Sequence, residues 1–167
     1  MRIGVAIEVP APFGPQLQSA RAGFGDPLAP YIPQHNTLLG PTEVADLDPV
    51  VHHLRTVATA HAPFSVHLRG TGTFRPVSDV VFVQVAMGIS ECEQLERAVR
   101  AGPLEQVSRF NYHPHVTVAH DLPDDALDRA FKELADYEAG FRVTSMHVYN
   151  FGDDEVWRPV RDIPLSG

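Results

Sequence analysis

Two copies of a His-x-Thr triplet are the residues of this chain best suited to chemistry. His35 and Thr37 belong to the first copy, His115 and Thr117 belong to the second, and each copy lies in a short apolar run. Residues i and i+2 of a β-strand point to the same face of a sheet, so each triplet places an imidazole beside a hydroxyl. Two imidazoles supply a general base and a general acid near neutral pH, and two hydroxyls donate hydrogen bonds to phosphate oxygens. The pair of triplets therefore indicates phosphoester chemistry at a cleft between two strands.

The elements that position the first triplet follow a β-α-β-α-β order. Apolar patterns predict strands at 3–9, 35–39 and 64–68, and a short helix at 16–22 that ends at a glycine. A second helix begins near Asp48, which offers an N-cap and is followed by a first-turn proline. The first triplet thus opens the middle strand of this half.

The second half repeats that order. Strands are predicted at 80–85, 115–119 and 141–149, and helices begin near Ser90 and Asp124. Ser90 and a glutamate three positions later form a capping-box pattern at the start of the first of these helices. The second triplet again opens the middle strand, so the duplication links the two triplets to one site.

This duplication predicts one bilobal α+β domain over residues 1–167. The first lobe spans about 1–70 and the second about 79–167. The link between them is too short, and too little disordered in composition, to separate independent domains. A last segment, 156–165, contains two prolines and therefore suits an edge strand.

Composition restricts the classes of protein and partner. With 167 residues, 44% of them hydrophobic, the chain should bury roughly 70% of its unfolded surface. No apolar run reaches the length of a membrane-spanning helix, and the N-terminal residues enter a strand pattern without a signal-peptide core, so we expect a cytoplasmic protein that does not bind a membrane. The single cysteine, Cys92, excludes an intramolecular disulfide framework and a cysteine-based zinc cluster. A net charge of −8 argues against extended duplex nucleic acid as a partner.

The residues around both triplets are similar to the motifs of a known family. The run 33–39 looks like the first motif of that family. The run 110–118 looks like the second motif, with the usual proline before the histidine. The position of Phe74 ahead of the strand at 80–85 is also similar to the family. With one motif in each half, the chain resembles the two-histidine phosphoesterase superfamily, and more closely its branch of 2′-5′ RNA ligase-like proteins and cyclic phosphodiesterases. Asn36 departs from the pattern, which usually has an apolar residue there, and its side chain should point away from the cleft.

The resemblance implies two pseudo-symmetric lobes with mostly antiparallel sheets around a central cleft. It implies a phosphodiesterase or cyclic phosphodiesterase without metal or cofactor, in which His35 and His115 act as acid and base while Thr37 and Thr117 hold phosphate oxygens. The implied substrates are small nucleotides or RNA ends with a 2′,3′-cyclic phosphate or a 2′-5′ linkage, and we expect a monomer. Reversible 2′-5′ RNA ligation, binding of nucleotides or RNA ends without catalysis, and metal-dependent hydrolysis stay open, as does which histidine is the base.

Six further residues are candidates for contacts with the substrate. They are Phe110 and Tyr112 as stacking platforms for a base, Arg75 and Arg109 as cations for phosphate, and His67 and His147 as cleft-lining or supporting groups. His120 is predicted to lie on the opposite strand face from His115, in a loop or packing role. Trp157 is interpreted as structural.

Overall fold

In the computed structural model, which describes residues 1–108 and 110–167, eight strands form one curled antiparallel sheet. The strands are β1 (Arg2–Glu8), β2 (His35–Glu43), β3 (Phe64–Thr73), β4 (Val80–Met87), β5 (His115–His120), β6 (Glu138–Val143), β7 (Ser145–Phe151) and β8 (Trp157–Pro164). Their order across the sheet is β6-β3-β4-β5-β2-β1-β7-β8. The two strands that carry the triplets, β2 and β5, are therefore the central pair.

The triplets meet at the centre of this sheet. β2 and β5 pair antiparallel through Asn36 and Val116, which are the middle residues of the two triplets. Successive side chains of a strand point to opposite faces, so the histidines and threonines on either side of these residues share the other face. The strands predicted at both triplets are confirmed.

Four helices in the described part of the chain supply the main core on one face of the sheet. They are α1 (Phe13–Gly23), α2 (Leu47–Thr59), α3 (Ile89–Val99) and α4 (Asp124–Glu133). Each helix contributes a fully buried leucine to this core, and these are Leu17, Leu54, Leu95 and Leu127. The side chains of the triplets lie on the other face, together with a smaller buried cluster that includes Tyr149 and Trp157. None of the described helices has both the length and the apolar character needed to cross a membrane.

The predicted α+β class with antiparallel strands is confirmed, and strands from the two halves of the chain pair with each other. β3, from the first half of the chain, pairs with β4 and β6 from the second half. In the same way β7, from the second half, pairs with β1 from the first half. The single strand predicted at 141–149 is wrong, because β6 and β7 divide this run and have different neighbours. The edge strand predicted near the C-terminus is confirmed as β8.

A β-bulge follows the threonine of each triplet. The pairing of β2 with β1 skips Leu38, and the pairing of β5 with β4 skips Val118. An extra residue shifts the alternation of side chains by one position. His120 therefore returns to the face of His115 and borders the same cavity. The prediction that these two histidines lie on opposite faces is wrong for this reason.

Helix α3 begins at a glycine and not at the predicted capping box. Its N-cap, Gly88, has φ +93° and no side chain that could accept a capping hydrogen bond from the helix backbone. Ser90 lies inside the first turn, where its hydroxyl accepts a hydrogen bond from Gln94. A Cβ atom on Gly88 would lie 2.6 Å from the carbonyl oxygen of Ser65 on β3. Both the positive φ and the close approach of β3 therefore require glycine at this position.

We expect Gly88→Ala to lower the free energy of unfolding more than Gly25→Ala does. Both positions have positive φ, +93° and +99°, so each alanine costs about 1–2 kcal/mol of backbone strain. Only Gly88 has a backbone atom within clashing distance of the new Cβ, since nothing lies within 4 Å at Gly25. Urea unfolding followed by circular dichroism measures both losses. Equal losses would show that the contact with β3 does not constrain the start of α3.

Candidate active site

The two triplet histidines have the same hydrogen-bond arrangement. The Nδ1 atom of His35 lies 2.5 Å from the carbonyl oxygen of Pro33, and that of His115 lies 2.6 Å from the carbonyl oxygen of His113. A carbonyl oxygen can only accept, so Nδ1 carries the proton in each ring. The neutral imidazoles therefore keep Nε2 as the nitrogen that can accept a proton.

Two cavities meet at the triplets. The first, of about 330 Å³, is bordered by His35, His115 and Thr117, and we call it the histidine cavity. The second, of about 510 Å³, is bordered by His115 and Thr37. We call this one the aromatic cavity, because its lining also includes Phe74, Phe110 and Tyr112. His115 and Phe74 border both cavities and so mark the boundary between them.

Aromatic rings surround the two histidines differently. The His35 ring stacks on the indole of Trp157, with centroids 4.5 Å apart and ring planes inclined by 29°. His115 has an edge-to-face contact with Phe74 at 4.9 Å and a tilted contact with Phe82 at 5.2 Å. One face of His35 is therefore covered, whereas the rings that contact His115 are perpendicular or tilted to it.

Burial changes the protonation of both histidines. Burial lowers the pKa of His35 from 6.5 to about 4; the hydrogen bond to Pro33 opposes this shift, and the charges of Arg21 and His115 add to it. Burial also lowers the pKa of His115, against the hydrogen bond to His113 and with a smaller contribution from the charge of that residue. Desolvation penalises the charged imidazolium, so both rings are mainly neutral at pH 7.

A buried ion pair borders the histidine cavity. The Nε of Arg21, on α1, donates to the Oδ2 of Asp26 at 2.6 Å, and the other carboxylate oxygen accepts from the backbone N–H of Leu28 at 2.9 Å. Arg21 is only 4% exposed and lines the histidine cavity. The pair thus holds a guanidinium at the border of the cavity that the two histidines share.

The side chain of Asn36 joins the two central strands on the face away from the cavities. Its Oδ1 accepts from the Tyr112 hydroxyl at 3.2 Å and from the backbone N–H of His115 at 3.3 Å, and its Nδ2 lies 3.5 Å from the Sγ of Cys92 on α3. Asn36 is 5% exposed, so this amide satisfies buried polar groups at the join between β2 and β5. The residue that departs from the family pattern therefore ties the two triplets to each other.

The remaining sequence-predicted residues lie in different places. Phe110 and Tyr112 border the aromatic cavity, although the Tyr112 hydroxyl is directed to Asn36. Arg75 pairs with Asp128 at 2.9 Å, beside α4. Away from the triplets, the other predicted histidines pair with carboxylates, His67 with Glu138 at 3.1 Å and His147 with Asp162 at 3.3 Å. Arg109 lies outside the described residues. Within the described ranges, no three His, Cys, Asp or Glu side chains are arranged to hold a metal ion.

Comparison with known proteins supports this architecture. A model of the 2′-5′ RNA ligase superfamily matches residues 9–155, which include both triplets. The chain belongs to this superfamily. A protein of Bacillus cytotoxicus that carries the provisional name of phosphoesterase is 30% identical over 138 residues, which cover 79% of this chain and 78% of that protein.

Solved structures share the superfamily fold over the whole chain. E. coli LigT in complex with 3′-AMP is similar with a TM-score of 0.68 and 21% identity, over 99% of this chain and 98% of LigT. A protein of Thermus thermophilus is similar with a TM-score of 0.63 and 22% identity, over 100% of this chain and 99% of its own. At these identities the structures show a common fold.

Three residues that border the histidine cavity are not predicted from the sequence to do so, and these are Arg21, His120 and Trp157. Arg21 follows Leu17 by four positions and so lies on the same, apolar face of α1. A cation on the apolar face of a helix is a sequence signal that indicates a buried charge. The bulge in β5 shifts the alternation of side chains, so the sequence alone assigns His120 to the wrong face. Trp157 reaches His35 from the other end of the chain, and no local pattern predicts such a contact.

We expect Asp26→Asn to destabilise the protein by about 3 kcal/mol, because it leaves the Arg21 charge buried without its carboxylate. A matched control is Asp154→Asn, since Asp154 pairs with Arg158 at the same 2.6 Å but at an exposed position. Solvent screening makes such a pair weak, so the control should lose little stability. Thermal and urea unfolding of the two variants measure the difference. An equal effect would contradict the structural role of the buried pair.

Proposed function

We propose that this protein is a phosphodiesterase in which His35 and His115 are the general acid-base pair and Thr37 and Thr117 hold the non-bridging phosphate oxygens. The observation that carries the proposal is the matched pair of imidazoles, each with Nδ1–H bound to the carbonyl two residues before it, at the border of one cavity. Membership of the 2′-5′ RNA ligase superfamily and a relative provisionally named as a phosphoesterase support it.

The chemistry follows from displacement at phosphorus. The attacking and leaving oxygens lie on opposite sides of the phosphorus, so an acid and a base from two separate strands can serve one each. One neutral imidazole takes a proton from water or a ribose hydroxyl, and the other, protonated, gives a proton to the leaving oxygen. The threonine hydroxyls and the Arg21 guanidinium stabilise the negative charge that develops on the phosphate. This reaction requires no metal or cofactor.

The proposed substrates are small nucleotides or RNA ends with a 2′,3′-cyclic phosphate or a 2′-5′ linkage. The aromatic cavity has a volume typical of small-molecule sites and is lined by rings of Phe74, Phe110 and Tyr112, which suit the faces of a nucleobase. Structures of LigT, which shares the fold, are complexes with 3′-AMP, NADP⁺, ATP or phosphate, and this supports a small nucleotide as the ligand proposed here. Ligation of 2′-5′ ends would be the reverse reaction at the same groups, and the superfamily name favours it as the second candidate.

We expect His35→Ala and His115→Ala each to lower kcat/KM for a 2′,3′-cyclic nucleotide by about 10²- to 10⁴-fold, since each removes one proton-transfer group. His52→Ala is the control, because His52 is exposed on α2 and should leave activity unchanged. The assay is hydrolysis followed by chromatography with and without a chelator. Full activity in the folded histidine variants would contradict the mechanism. Nucleotide binding without turnover in the parent protein would support a binding protein instead. Loss of activity with the chelator would support a metal-dependent hydrolase.

We expect kcat/KM to follow a bell-shaped pH profile with its maximum below pH 6.5, because the pKa values of both histidines are lowered from that value. The base must be neutral, so activity rises with pH through its pKa; the acid must be protonated, so activity falls with pH through its pKa. The pKa of His35 is about 4 and that of His115 is below 6.5, and kcat/KM reports the free enzyme. The shape is the same whichever histidine is the acid. A profile that is flat from pH 4 to 8 would contradict catalysis by this pair.

A further inference from the structure

Histidines aside, Arg100 is the one charged side chain among the described residues that border the aromatic cavity. It is the C-cap of α3, on the core face of the sheet, whereas Thr37 and His115 belong to the opposite face. In the described part of the chain, the ladder that joins β2 to β5 contains one residue pair, so the two strands separate beyond it. The aromatic cavity therefore extends from the triplets toward the end of α3.

Two contacts hold the guanidinium of Arg100 in place. Its Nη1 lies 3.3 Å from the Oε1 of Glu96, one turn earlier on α3, and its Nη2 donates to the carbonyl oxygen of Gln106 at 3.5 Å. Gln106 in turn donates from its side-chain amide to the Thr42 hydroxyl on β2 at 3.2 Å. The side chains of Arg100 and Glu96 are 20% and 13% exposed, so both lie mostly inside the protein. Each terminal nitrogen of a guanidinium carries two N–H groups, so a donor remains on each for a ligand in the cavity.

The ion pair with Glu96 determines the kind of ligand that Arg100 suits. The carboxylate neutralises the charge of the guanidinium, so the pair offers hydrogen-bond donors without a net positive charge. A phosphate gains most from a cation that has no carboxylate beside it, because the two opposite charges cancel at a short distance. The rings of Phe74 and Tyr112 in the same cavity suit the faces of a nucleobase. This part of the cavity therefore fits a neutral base whose edge carries hydrogen-bond acceptors.

We propose that Arg100 selects guanine in the aromatic cavity by donating hydrogen bonds to O6 and N7 of the base. Guanine carries these two acceptors side by side, whereas adenine has an amino group in place of O6, and an arginine side chain only donates. Cytosine also has adjacent acceptors, N3 and O2, but O2 lies next to the glycosidic bond and so stays beside the ribose. This inference rests on the proposed phosphodiesterase function and deepens it, because it names the base of the preferred substrate.

The selectivity comes mainly from the donors that the wrong base leaves unpaired. With adenine in the cavity, its amino group would face the N–H groups of Arg100, and both sides would lose hydrogen bonds to water without replacement. A site whose polar groups are positioned for one substrate group rejects an analogue that lacks that group. Stacking on Phe74 and Tyr112 does not distinguish the bases, because every base has a π-face. Arg100 therefore carries the discrimination, and the aromatic rings carry affinity.

Binding of nucleoside 3′-monophosphates tests this preference without turnover. By isothermal titration calorimetry, we expect the parent protein to bind 3′-GMP about 10- to 100-fold more tightly than 3′-AMP, the range for one bidentate contact. Arg100→Lys keeps the charge but loses the planar fork, and Arg100→Met loses the donors as well, so the preference should fall to about threefold or less in both. Arg97→Lys and Arg97→Met are the matched controls, because Arg97 is exposed on the same helix. Circular dichroism checks that all four variants are folded.

An altered base tests the contact at a single atom. In 7-deazaguanosine 3′-monophosphate a C–H group replaces N7, so one of the two acceptors is absent. The parent should bind this probe about tenfold more weakly than 3′-GMP, whereas Arg100→Met should bind the two equally, because the donor is already gone. Equal binding of the two probes by the parent would overturn the contact with N7. The same penalty in Arg100→Met would also overturn it, because another group would then contact N7.

Hydrolysis of the four 2′,3′-cyclic nucleotides links the preference to the reaction. We expect kcat/KM to be highest for the guanosine substrate, and Arg100→Lys to lower it there by about tenfold or more while the adenosine substrate changes by less than about threefold. Equal values for guanosine and adenosine in the parent, or a preference for cytidine, would overturn the role of Arg100. Tighter binding of adenosine 3′,5′-bisphosphate than of 3′-AMP, lost in Arg100→Met, would overturn it by showing that Arg100 holds a second phosphate. No hydrolysis of any of the four by the parent would instead overturn the proposed phosphodiesterase function.

Discussion

The pairing of β2 with β5 through Asn36 and Val116 is the contact on which the site depends. It joins the two sides of the sheet at the middle residues of the triplets, so the alternation of side chains places both histidines and both threonines on one face. The Asn36 amide adds bonds to Tyr112 and to the backbone of His115 across this join. Asn36 therefore has a clear physical role, because its amide satisfies buried polar groups where the two strands meet.

Duplication makes the two histidines alike, and the ends of the chain make them different. Each triplet is followed by a bulge, and each histidine donates Nδ1–H to the carbonyl two residues earlier. β6 and β8 are the two edge strands of the sheet, and β8 begins with Trp157, which stacks on His35. The two histidines therefore share a backbone environment but differ in the aromatic rings that contact them.

The charged residues Arg21 and Asp26 at the candidate site are almost completely buried. Arg21 is held by Asp26 inside the protein and borders the cavity that both histidines share. Burial of a guanidinium costs stability unless it is paired, and the pair here leaves the cation in a constant position next to a proposed phosphate site. An acidic protein with a net charge of −8 can thus present local positive charge to a small anion.

The sequence alone determined the α+β class, the order of most elements and the family, because strand and helix periodicities are local and each triplet lies within one strand. It also indicated which four side chains could do chemistry. Only the tertiary structure decided that His120 shares the face of His115, that Trp157 covers His35, that Arg21 borders the cavity, and that β6 and β7 have different neighbours. A bulge is a property of the pairing of two strands, and the contact between Trp157 and His35 joins opposite ends of the chain. Neither leaves a periodic signal, because both arise from the packing of segments that are distant in sequence.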